Sequence, residues 1–384
     1  MKRGIATFSL DWGKCPPWLF ERMVRLGREI ISIIVAEYGP EEFIKRISDP
    51  VWFQSLGTVL AFDWNSSGLT TILTAALKEA ILGQERNLGI FICGGKGKTS
   101  RKTPDEITSW GERLALVEKE AEALVYNSKM AAKVDSSLIQ DGFQIYHHSF
   151  LFTKNNFWAV IQQGMNIQNQ TARRYHWFSE SIDDLVVEPH SGIISESFNP
   201  RNTLNMTARE SDKNRELSVE LVSGSYKTLI KDIQILRKHS SSLSEMVSLR
   251  NRSDELTLLQ LVPEEFSHHQ VIFEDFSKSQ YLERILAKLV DEKPKSYEEL
   301  LANQGVGPKT IRALSLVSEV IYGAPASYKD PARYSFAHGG KDGSPYPVDR
   351  EKYDRSIEIL RKAVSKAKLG PTEKEKALRR LTNF

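Results

Sequence analysis

The sequence predicts a mixed α+β fold, in which an N-terminal α/β-type domain of unnamed fold precedes a C-terminal all-α helix-hairpin-helix domain. Three observations support this prediction. Apolar residues recur at helical spacing over 17–38, two strand-like runs at 148–153 and 157–163 flank a Lys-Asn-Asn turn, and two short helical patterns within 296–321 flank a Gly-x-Gly turn. A sheet is therefore expected in the first half of the chain and a helical unit near its end.

The length favours more than one domain. At 384 residues the chain exceeds the usual size of a single core, and its 40% hydrophobic content is ordinary for a globular protein. We expect a mixed α/β domain over 1–215, a polar, serine-rich helical connector over 216–260, and a helix-hairpin-helix DNA-binding domain over 261–384. A helix at 277–289 is expected to lead into the hairpin.

The first domain has candidate helices and strands in a definite order. Helices are predicted over 17–38 and around 69–82. A short apolar run at 87–93, followed by two glycines, predicts a buried strand. The runs at 148–153 and 157–163 predict a β-hairpin, because the asparagines between them favour a turn.

The helix-hairpin-helix unit begins with a capping signal. Ser296, with Glu299 three residues later, predicts a capping box at the start of a short helix. The turn follows, and Pro308 suits the first position of the next helix. Gly323 offers that helix a stop.

The Gly-x-Gly turn predicts DNA as the partner. A turn of this kind ahead of a helix leaves backbone N–H groups unpaired, where the helix dipole favours an anion such as a DNA phosphate. Contacts to DNA are therefore predicted at Gly305, Gly307 and Thr310. Lys309 has two interpretations, a phosphate contact or a nucleophile.

A later segment favours the catalytic interpretation. A glycine- and proline-rich stretch precedes Asp349, which begins a helical pattern that ends at Gly370-Pro371. This arrangement resembles the helix-hairpin-helix DNA glycosylases typified by endonuclease III. The resemblance implies that Lys309 attacks the sugar C1′ and that Asp349 assists, in a DNA-repair glycosylase or abasic-site (AP) lyase. Burial favours the neutral, nucleophilic form of a lysine, and a nearby carboxylate can orient it.

The sequence departs from the glycosylase pattern in two ways. Lys309 and Asp349 are 40 residues apart, roughly twice the spacing usual in that superfamily, and Arg350-Glu351 replaces the threonine-histidine that often follows the aspartate. Aspartate is also a favoured N-cap, so helix capping is an alternative role for Asp349.

The segment between the hairpin and Asp349 has chemistry of its own. It contains a glycine-rich loop with a histidine, a lysine and an arginine nearby, and such loops approach a phosphate or a flipped base closely. Arg333, His338 and Lys341 are therefore predicted DNA contacts, and Lys341 is a rival to Lys309 as the nucleophile.

Several stretches outside the hairpin carry a second resemblance. They are residues 14–22, 62–71 and Tyr146-His147-His148. With the hairpin region, they make the chain resemble the prokaryotic domain-of-unknown-function family 763 over nearly its full length. That resemblance implies no particular activity, so the mechanism must be argued from residues.

Charge and composition bound the function classes. The net charge of +3 argues neither for nor against a polyanionic partner. Residues 351–384 hold ten Lys/Arg against five Asp/Glu, which suits a helix that contacts DNA or one that is simply solvated. No run reaches the roughly 18 apolar residues that span a bilayer, so we expect a cytoplasmic protein with no membrane partner. Two cysteines, Cys15 and Cys93, are too few for an iron–sulfur cluster.

A polar cluster at 133–190 supplies a nuclease alternative. Arg173 and Arg174, interleaved with Tyr175 and Trp177, are predicted to bind a nucleic-acid strand by charge and stacking. A buried polar network is the alternative. Asp63, Asp135 and Asp141 with a histidine could hold a divalent ion for phosphodiester hydrolysis. His147 and His148 should face opposite sides of a strand, which argues against a metal shared by both.

Residues 94–102 form a basic, glycine-rich loop after a predicted strand. The loop lacks the first glycine of a Walker A motif, because Ile92 stands at that position. A phosphate contact or plain solvation is therefore expected for this loop, rather than ATP binding.

Three hypotheses for function follow. The first is a glycosylase or lyase that uses Lys309 and Asp349 and needs no cofactor. The second is a nuclease that needs a divalent metal and uses the hairpin for binding. The third is a non-enzymatic DNA-binding adaptor, whose affinity would be salt-sensitive without turnover.

Overall fold

The protein is a mixed structure, with one central antiparallel sheet and helices on both of its faces. The computed structural model describes residues 15–60, 66–168, 170–195, 203–239, 248–250, 255–257, 279–332 and 350–382. The α+β class predicted from the sequence is confirmed.

The chain begins with a layer of helices. Their starts follow from local sequence, because proline occupies the first turn of the first three helices, where its missing N–H costs nothing. Asp49 caps the third helix by accepting hydrogen bonds from Val51 N (2.8 Å) and Trp52 N (3.0 Å). The helices are α1 (Pro17–Tyr38), α2 (Pro40–Ile47), α3 (Pro50–Val59), α4 (Ser66–Ile81) and the short α5 (Glu85–Leu88).

Five strands form the central sheet, in the order β1-β3-β4-β5-β6, with every neighbouring pair antiparallel. Two small strand pairs, β2 with β7 and β8 with β9, lie outside it. The strands are β1 (Ile90–Lys96), β2 (Ile139–Gln140), β3 (Gln144–Thr153), β4 (Trp158–Asn166), β5 (Thr171–Phe178), β6 (His190–Ser195), β7 (Leu204–Asn205), β8 (Ser248–Arg250) and β9 (Glu255–Thr257).

The remaining helices follow β1 or lie towards the chain end. They are α6 (Thr103–Leu114), α7 (Glu118–Ser137), α8 (Asp212–Ser223), α9 (Tyr226–His239), α10 (Gln280–Glu292), α11 (Tyr297–Ala302), α12 (Pro308–Leu316), α13 (Arg350–Lys366) and α14 (Pro371–Thr382). A π-helical turn, Val317–Ile321, continues α12, and short 3₁₀ turns cover Gly97–Lys102, Ser179–Ser181 and Arg209–Ser211. None of the described helices is long and apolar enough to cross a membrane.

The sheet is buried on both faces. On the first face, Phe150 and Trp177 belong to an apolar cluster that includes residues of α6 to α12. On the second face, Leu151 and Ile161 belong to a cluster with α1 to α5, and α13 and α14 also contribute. Residues 150 and 151 point to opposite faces because side chains alternate along a strand.

The helices predicted to form a helix-hairpin-helix, α11 and α12, share their core with the sheet. Leu300 of α11 and Ile311 of α12 lie in the same cluster as Phe150. The described residues before and after the predicted boundaries at 215 and 260 share one first-face core. The two boundaries therefore stay predictions.

Several predicted elements agree with the structure. The helix over Pro17–Tyr38 has both of its predicted ends, and β3 and β4 form the predicted hairpin. The strand predicted at 87–93 is shifted. Gly89 (φ +69°) ends α5 in a left-handed conformation, and β1 runs on through Gly94 and Gly95.

The helical connector over 216–260 is only partly correct. α8 and α9 reach His239, but residues 248–250 and 255–257 pair as antiparallel strands. Leu249 and Leu256 pair directly, each between two polar residues, and that alternation favours a strand over a helix.

Candidate nucleic-acid-binding hairpin and buried polar clusters

The hairpin connects α11 to α12 through residues 303–307. Ser296 caps α11 as predicted, since its hydroxyl accepts a hydrogen bond from Glu299 N (3.1 Å). The Glu299 carboxylate accepts from Lys295 N (2.7 Å), one residue earlier than a capping box requires. Pro308 occupies the first turn of α12, and Gly323 (φ +70°) follows the π-helical turn.

Gly305 determines the shape of the turn. Its φ of +96° lies in the region that favours glycine, and a Cβ there would lie 2.3 Å from Ile285 Cδ1 on α10. Tyr281, also on α10, donates a hydrogen bond to the Gly305 carbonyl (3.1 Å). Gly307 faces open space, so its side is accessible to a ligand.

Lys309 lies on the surface at the start of α12. The first hydrogen bond of the helix runs from Ile311 N to Gly307 O (3.1 Å), so the amides of Lys309 and Thr310 precede it. The Lys309 side chain is exposed, whereas Thr310 is buried. This exposure suits a phosphate contact and does not supply the burial expected for a lysine nucleophile.

Two polar side chains fix the hairpin to the sheet layer. Lys133 of α7 donates to the carbonyls of Leu301 (2.7 Å), Ala302 (3.1 Å) and Asn303 (2.6 Å), at the C-terminal end of α11. A cation is favoured there by the helix dipole. Burial, together with the charge of Lys288, lowers the pKa of Lys133.

Gln140 of β2 makes the second link. Its amide nitrogen donates to Pro308 O (2.9 Å), and its amide oxygen accepts from Arg312 Nε (2.6 Å). The start of α12 is therefore held beside the strand that leads into β3.

Five predicted site residues lie outside the described residues: Asp349, Arg333, His338, Lys341 and Asp63. The helix that begins immediately after Asp349, α13, buries its Leu360 and Val364 in the second-face cluster. The hairpin lies on the first face. The described residues thus do not bring Lys309 together with that helix.

Arg173 is the centre of a buried ion-pair cluster on the first face. Its guanidinium donates to Asp141 Oδ2 (2.8 Å) and to both carboxylate oxygens of Asp330 (2.9 and 2.8 Å). Tyr175 OH donates to Asp141 Oδ2 (2.8 Å). Burial acts to lower the pKa of Arg173, but Asp141, Tyr175 and Asp330 raise it further than burial lowers it, so the side chain stays cationic.

The enclosed position of Arg173 corrects the prediction of a DNA contact there. Arg173, Arg174, Tyr175 and Trp177 are all 0% exposed, so a nucleic-acid strand cannot stack on or pair with them in this structure. The prediction rested on arginines interleaved with aromatic residues, but both faces of β5 are covered by helices. The buried-network alternative describes these residues.

Arg174 belongs to a polar row on the second face. Lys96, His147, Gln163 and Arg174 are directly paired across β1, β3, β4 and β5, and directly paired residues share a face. We call these four residues the polar row. Arg174 donates to Thr70 Oγ1 (3.2 Å) and Gln54 Oε1 (3.3 Å), and burial lowers its pKa to about 9.

Helix α4 presents a matching polar stripe to the polar row. Gln163 donates to Ser67 O (2.9 Å), Arg174 to Thr70, and His147 Nε2 lies 3.1 Å from Thr74 Oγ1. Positions 67, 70 and 74 lie on one helix face. The stripe was not predicted from the sequence, although threonines at 70 and 74 within a buried helix are a readable signal; the Ser67 contact uses the backbone carbonyl and leaves no such signal.

Asp135 organises a third cluster, on the first face. Its carboxylate lies 2.5 Å from His190 Nε2, accepts from Gln162 Nε2 (2.5 Å), and accepts from Trp177 Nε1 (3.1 Å). Burial raises the pKa of Asp135, while His190 and Trp177 oppose that shift. The nuclease interpretation needs Asp135 and Asp141 as metal ligands, but both carboxylates already accept hydrogen bonds from neighbouring side chains.

The paired histidines face opposite sides, as predicted. His147 contacts Thr74 on α4, and His148 Nε2 lies 2.9 Å from Ser128 Oγ on α7. Burial lowers the pKa of His147 to about 3 and that of His148 to about 4, so both are neutral at pH 7. Within the described ranges, no three His, Cys, Asp or Glu side chains are arranged to hold a metal ion.

A family comparison spans these features. The sequence model of DUF763, described as a protein of unknown function, matches residues 4–348. The chain belongs to the DUF763 family. No curated protein and no solved structure matches it.

The DUF763 match contains the hairpin and all three polar clusters. It ends at residue 348, before α13 begins at Arg350. The two basic C-terminal helices therefore lie beyond the region that the DUF763 model describes, although they complete the second-face core.

Proposed function

We propose that this DUF763 protein binds DNA through its helix-hairpin-helix. The observation that supports the proposal is the geometry of residues 303–310. Gly305 turns the chain, Gly307 faces open space, and Lys309 is exposed beside amides that precede the first hydrogen bond of α12. Amides at a helix start and a flanking lysine suit a phosphate group.

Preorganisation strengthens this proposal. Tyr281 fixes the Gly305 carbonyl, Lys133 fixes the end of α11, and Gln140 fixes the start of α12. A ligand that docks on the turn would therefore order few additional groups, which reduces the entropic cost of binding. The contact is to the DNA backbone, so it predicts affinity without base specificity.

Lys309→Ala is expected to lower the affinity for duplex DNA about fivefold, which corresponds to roughly 1 kcal/mol. The slope of log affinity against log salt should fall by about 1, because one phosphate contact is lost. Fluorescence anisotropy of a labelled duplex at several salt concentrations measures both quantities.

Lys154→Ala is the matched control. Lys154 is an exposed lysine in the β3–β4 turn, so the variant makes the same charge change away from the hairpin. Equal effects of the two substitutions would show that only the net charge matters and would reject the hairpin as the binding site.

The second candidate function is abasic-site lyase activity, as the resemblance to helix-hairpin-helix glycosylases implies. The position of Lys309 at the docking edge supports it, since DNA held there would present its sugars to that amine, although the exposed amine lacks the burial that favours the neutral form of a lysine. Attack on C1′ of the open-chain abasic sugar, with loss of water, gives an imine that borohydride reduces to a stable amine adduct.

Lyase activity predicts a borohydride-trapped adduct with abasic duplex DNA in EDTA that is lost in Lys309→Ala. Denaturing gel electrophoresis detects the adduct. An adduct that persists in Lys309→Ala would transfer the role to another amine such as Lys341. Absence of any adduct would reject the lyase and leave the binding proposal standing.

A further inference from the structure

The chain has a second exposed basic element where β1 ends. Lys96 closes the strand, and the 3₁₀ turn Gly97–Lys102 follows it. Lys96, Lys98, Arg101 and Lys102 are all exposed. Four cations within seven residues create a local positive field that the whole-chain charge of +3 conceals.

The strand end beneath this turn is held rigidly. Gly94 has a φ of +86°, and a Cβ there would lie 2.3 Å from the His148 carbonyl oxygen. Lys78 Nζ donates to Gly94 O (3.1 Å), and Glu106 Oε2 accepts from Gly94 N (2.9 Å). Lys78 and Glu106 also pair with each other (2.6 Å). The backbone that precedes the turn is thus fixed by a strand partner and by an ion pair.

The turn has internal hydrogen bonds as well. Ser100 Oγ donates to Gly97 O (2.6 Å), and Thr103 Oγ1 donates to Ser100 O (2.7 Å). These bonds use hydroxyl groups and do not engage the cationic side chains, which are exposed; Lys96 Nζ also lies 5.8 Å from the centroid of the Tyr146 ring. A preformed turn of this kind loses little conformational entropy when it binds an anion.

The turn lies at the same end of the sheet as the hairpin. Lys96 pairs with His147 near the start of β3, and Gln140, which bonds the hairpin at Pro308 and Arg312, precedes His147 by seven residues. Seven residues span at most about 25 Å. Since DNA rises about 3.4 Å per base pair, Gln140 and His147 are separated by no more than roughly seven base pairs of duplex length.

We propose that Lys96 and the turn Gly97–Lys102 bind the phosphate backbone of DNA as a second contact, separate from the hairpin. It rests on the proposed function for the choice of DNA as partner and for the hairpin as the other point of contact. The lysine and arginine side chains neutralise phosphates and release counterions, and the fixed turn holds them on one side of the duplex. One duplex then lies along the sheet end, with the hairpin at one point and the turn at another.

The test compares two double variants that make the same charge change. Lys98→Ala/Lys102→Ala removes two cations of the turn. Lys45→Ala/Lys154→Ala removes two exposed lysines near the opposite end of the sheet, where Glu41 of α2 accepts a hydrogen bond from Asn155 in the β3–β4 turn. Affinity for a labelled duplex of about 20 base pairs is measured by anisotropy between roughly 50 and 200 mM salt.

We expect the turn variant to lose about tenfold in affinity at the lowest salt, with a salt slope smaller by about 2, and the control variant to change little. Equal losses in both variants would overturn the inference. Circular dichroism and thermal melting of each variant confirm that both are folded.

Lys309→Ala, measured in the same series, separates this inference from the proposed function. A loss in the turn variant with none in Lys309→Ala would support the turn and reject the hairpin. A loss in Lys309→Ala with none in the turn variant would overturn the inference and leave the hairpin proposal intact.

A nucleotide is the other source of phosphate groups that the test must distinguish. ATP at about 1 mM is added to the labelled complex, with sodium chloride of equal ionic strength as the reference. We expect ATP to displace no more DNA than the salt does. Additional displacement that disappears in the turn variant would identify a nucleotide site and overturn the assignment to DNA.

Discussion

Arg173→Met is expected to lower the free energy of unfolding by about 3–5 kcal/mol, because it leaves buried carboxylates without their cation. Arg173 and Asp141 are both fully enclosed, and the guanidinium bridges Asp141 to Asp330. Methionine fills much of the volume but supplies no charge and no donor. The urea midpoint, followed by circular dichroism, measures the loss.

Two further variants make this expectation specific. Arg355→Met removes an exposed arginine from α13 and should change the free energy of unfolding by no more than about 0.5 kcal/mol. Adding Asp330→Asn to Arg173→Met should recover part of the loss, since it removes one of the stranded charges. A loss below about 1 kcal/mol in Arg173→Met would mean that solvent reaches the cluster, and would restore Arg173 as a candidate ligand contact.

Gly94→Ala is expected to destabilise the protein by about 3 kcal/mol or more. The left-handed backbone at φ +86° costs an alanine about 1–2 kcal/mol. Its Cβ would also lie 2.3 Å from the His148 carbonyl oxygen and 2.4 Å from Thr103 Oγ1. The carbonyl belongs to the paired strand β3, so relief of the contact requires the two strands to separate locally.

Gly83→Ala separates the two causes. Gly83 has a φ of +80°, close to that of Gly94, but an added Cβ would meet nothing within 4 Å. The Gly83→Ala substitution should therefore lower the free energy of unfolding only by the cost of the left-handed backbone, about 1–2 kcal/mol. Thermal or urea unfolding of the two variants gives the difference directly. Equal losses would show that β1 and β3 adapt freely at this point.

Local elements were predictable because their signals are local. Pro17 and Gly39 bracket α1 in the sequence as they do in the structure. The β3–β4 hairpin follows from two strand-like runs that flank Lys154-Asn155-Asn156, and the start of α12 follows from Pro308 after two glycines. Each of these elements depends on residues that are close to one another in the sequence.

The buried charges were not predictable, because their partners are distant in sequence. Arg173 lies 32 residues from Asp141 and 157 residues from Asp330, and nothing in the local pattern selects those two carboxylates. Arginines beside Tyr175 and Trp177 suit an exposed binding surface as well as a buried network, and only the structure shows that both faces of the sheet are covered. The hydroxyls of the stripe on α4 were readable from Thr70 and Thr74, although the strand residues that they contact were not.

Helix α7 connects the hairpin to the central sheet. Lys133 ties it to the hairpin by three bonds, while Ser128 and Asp135 tie it to His148 and His190 of the sheet. A helix of 20 residues is a stiff rod of about 30 Å. A displacement of the hairpin would therefore be transmitted along α7 to the contacts with His148 and His190.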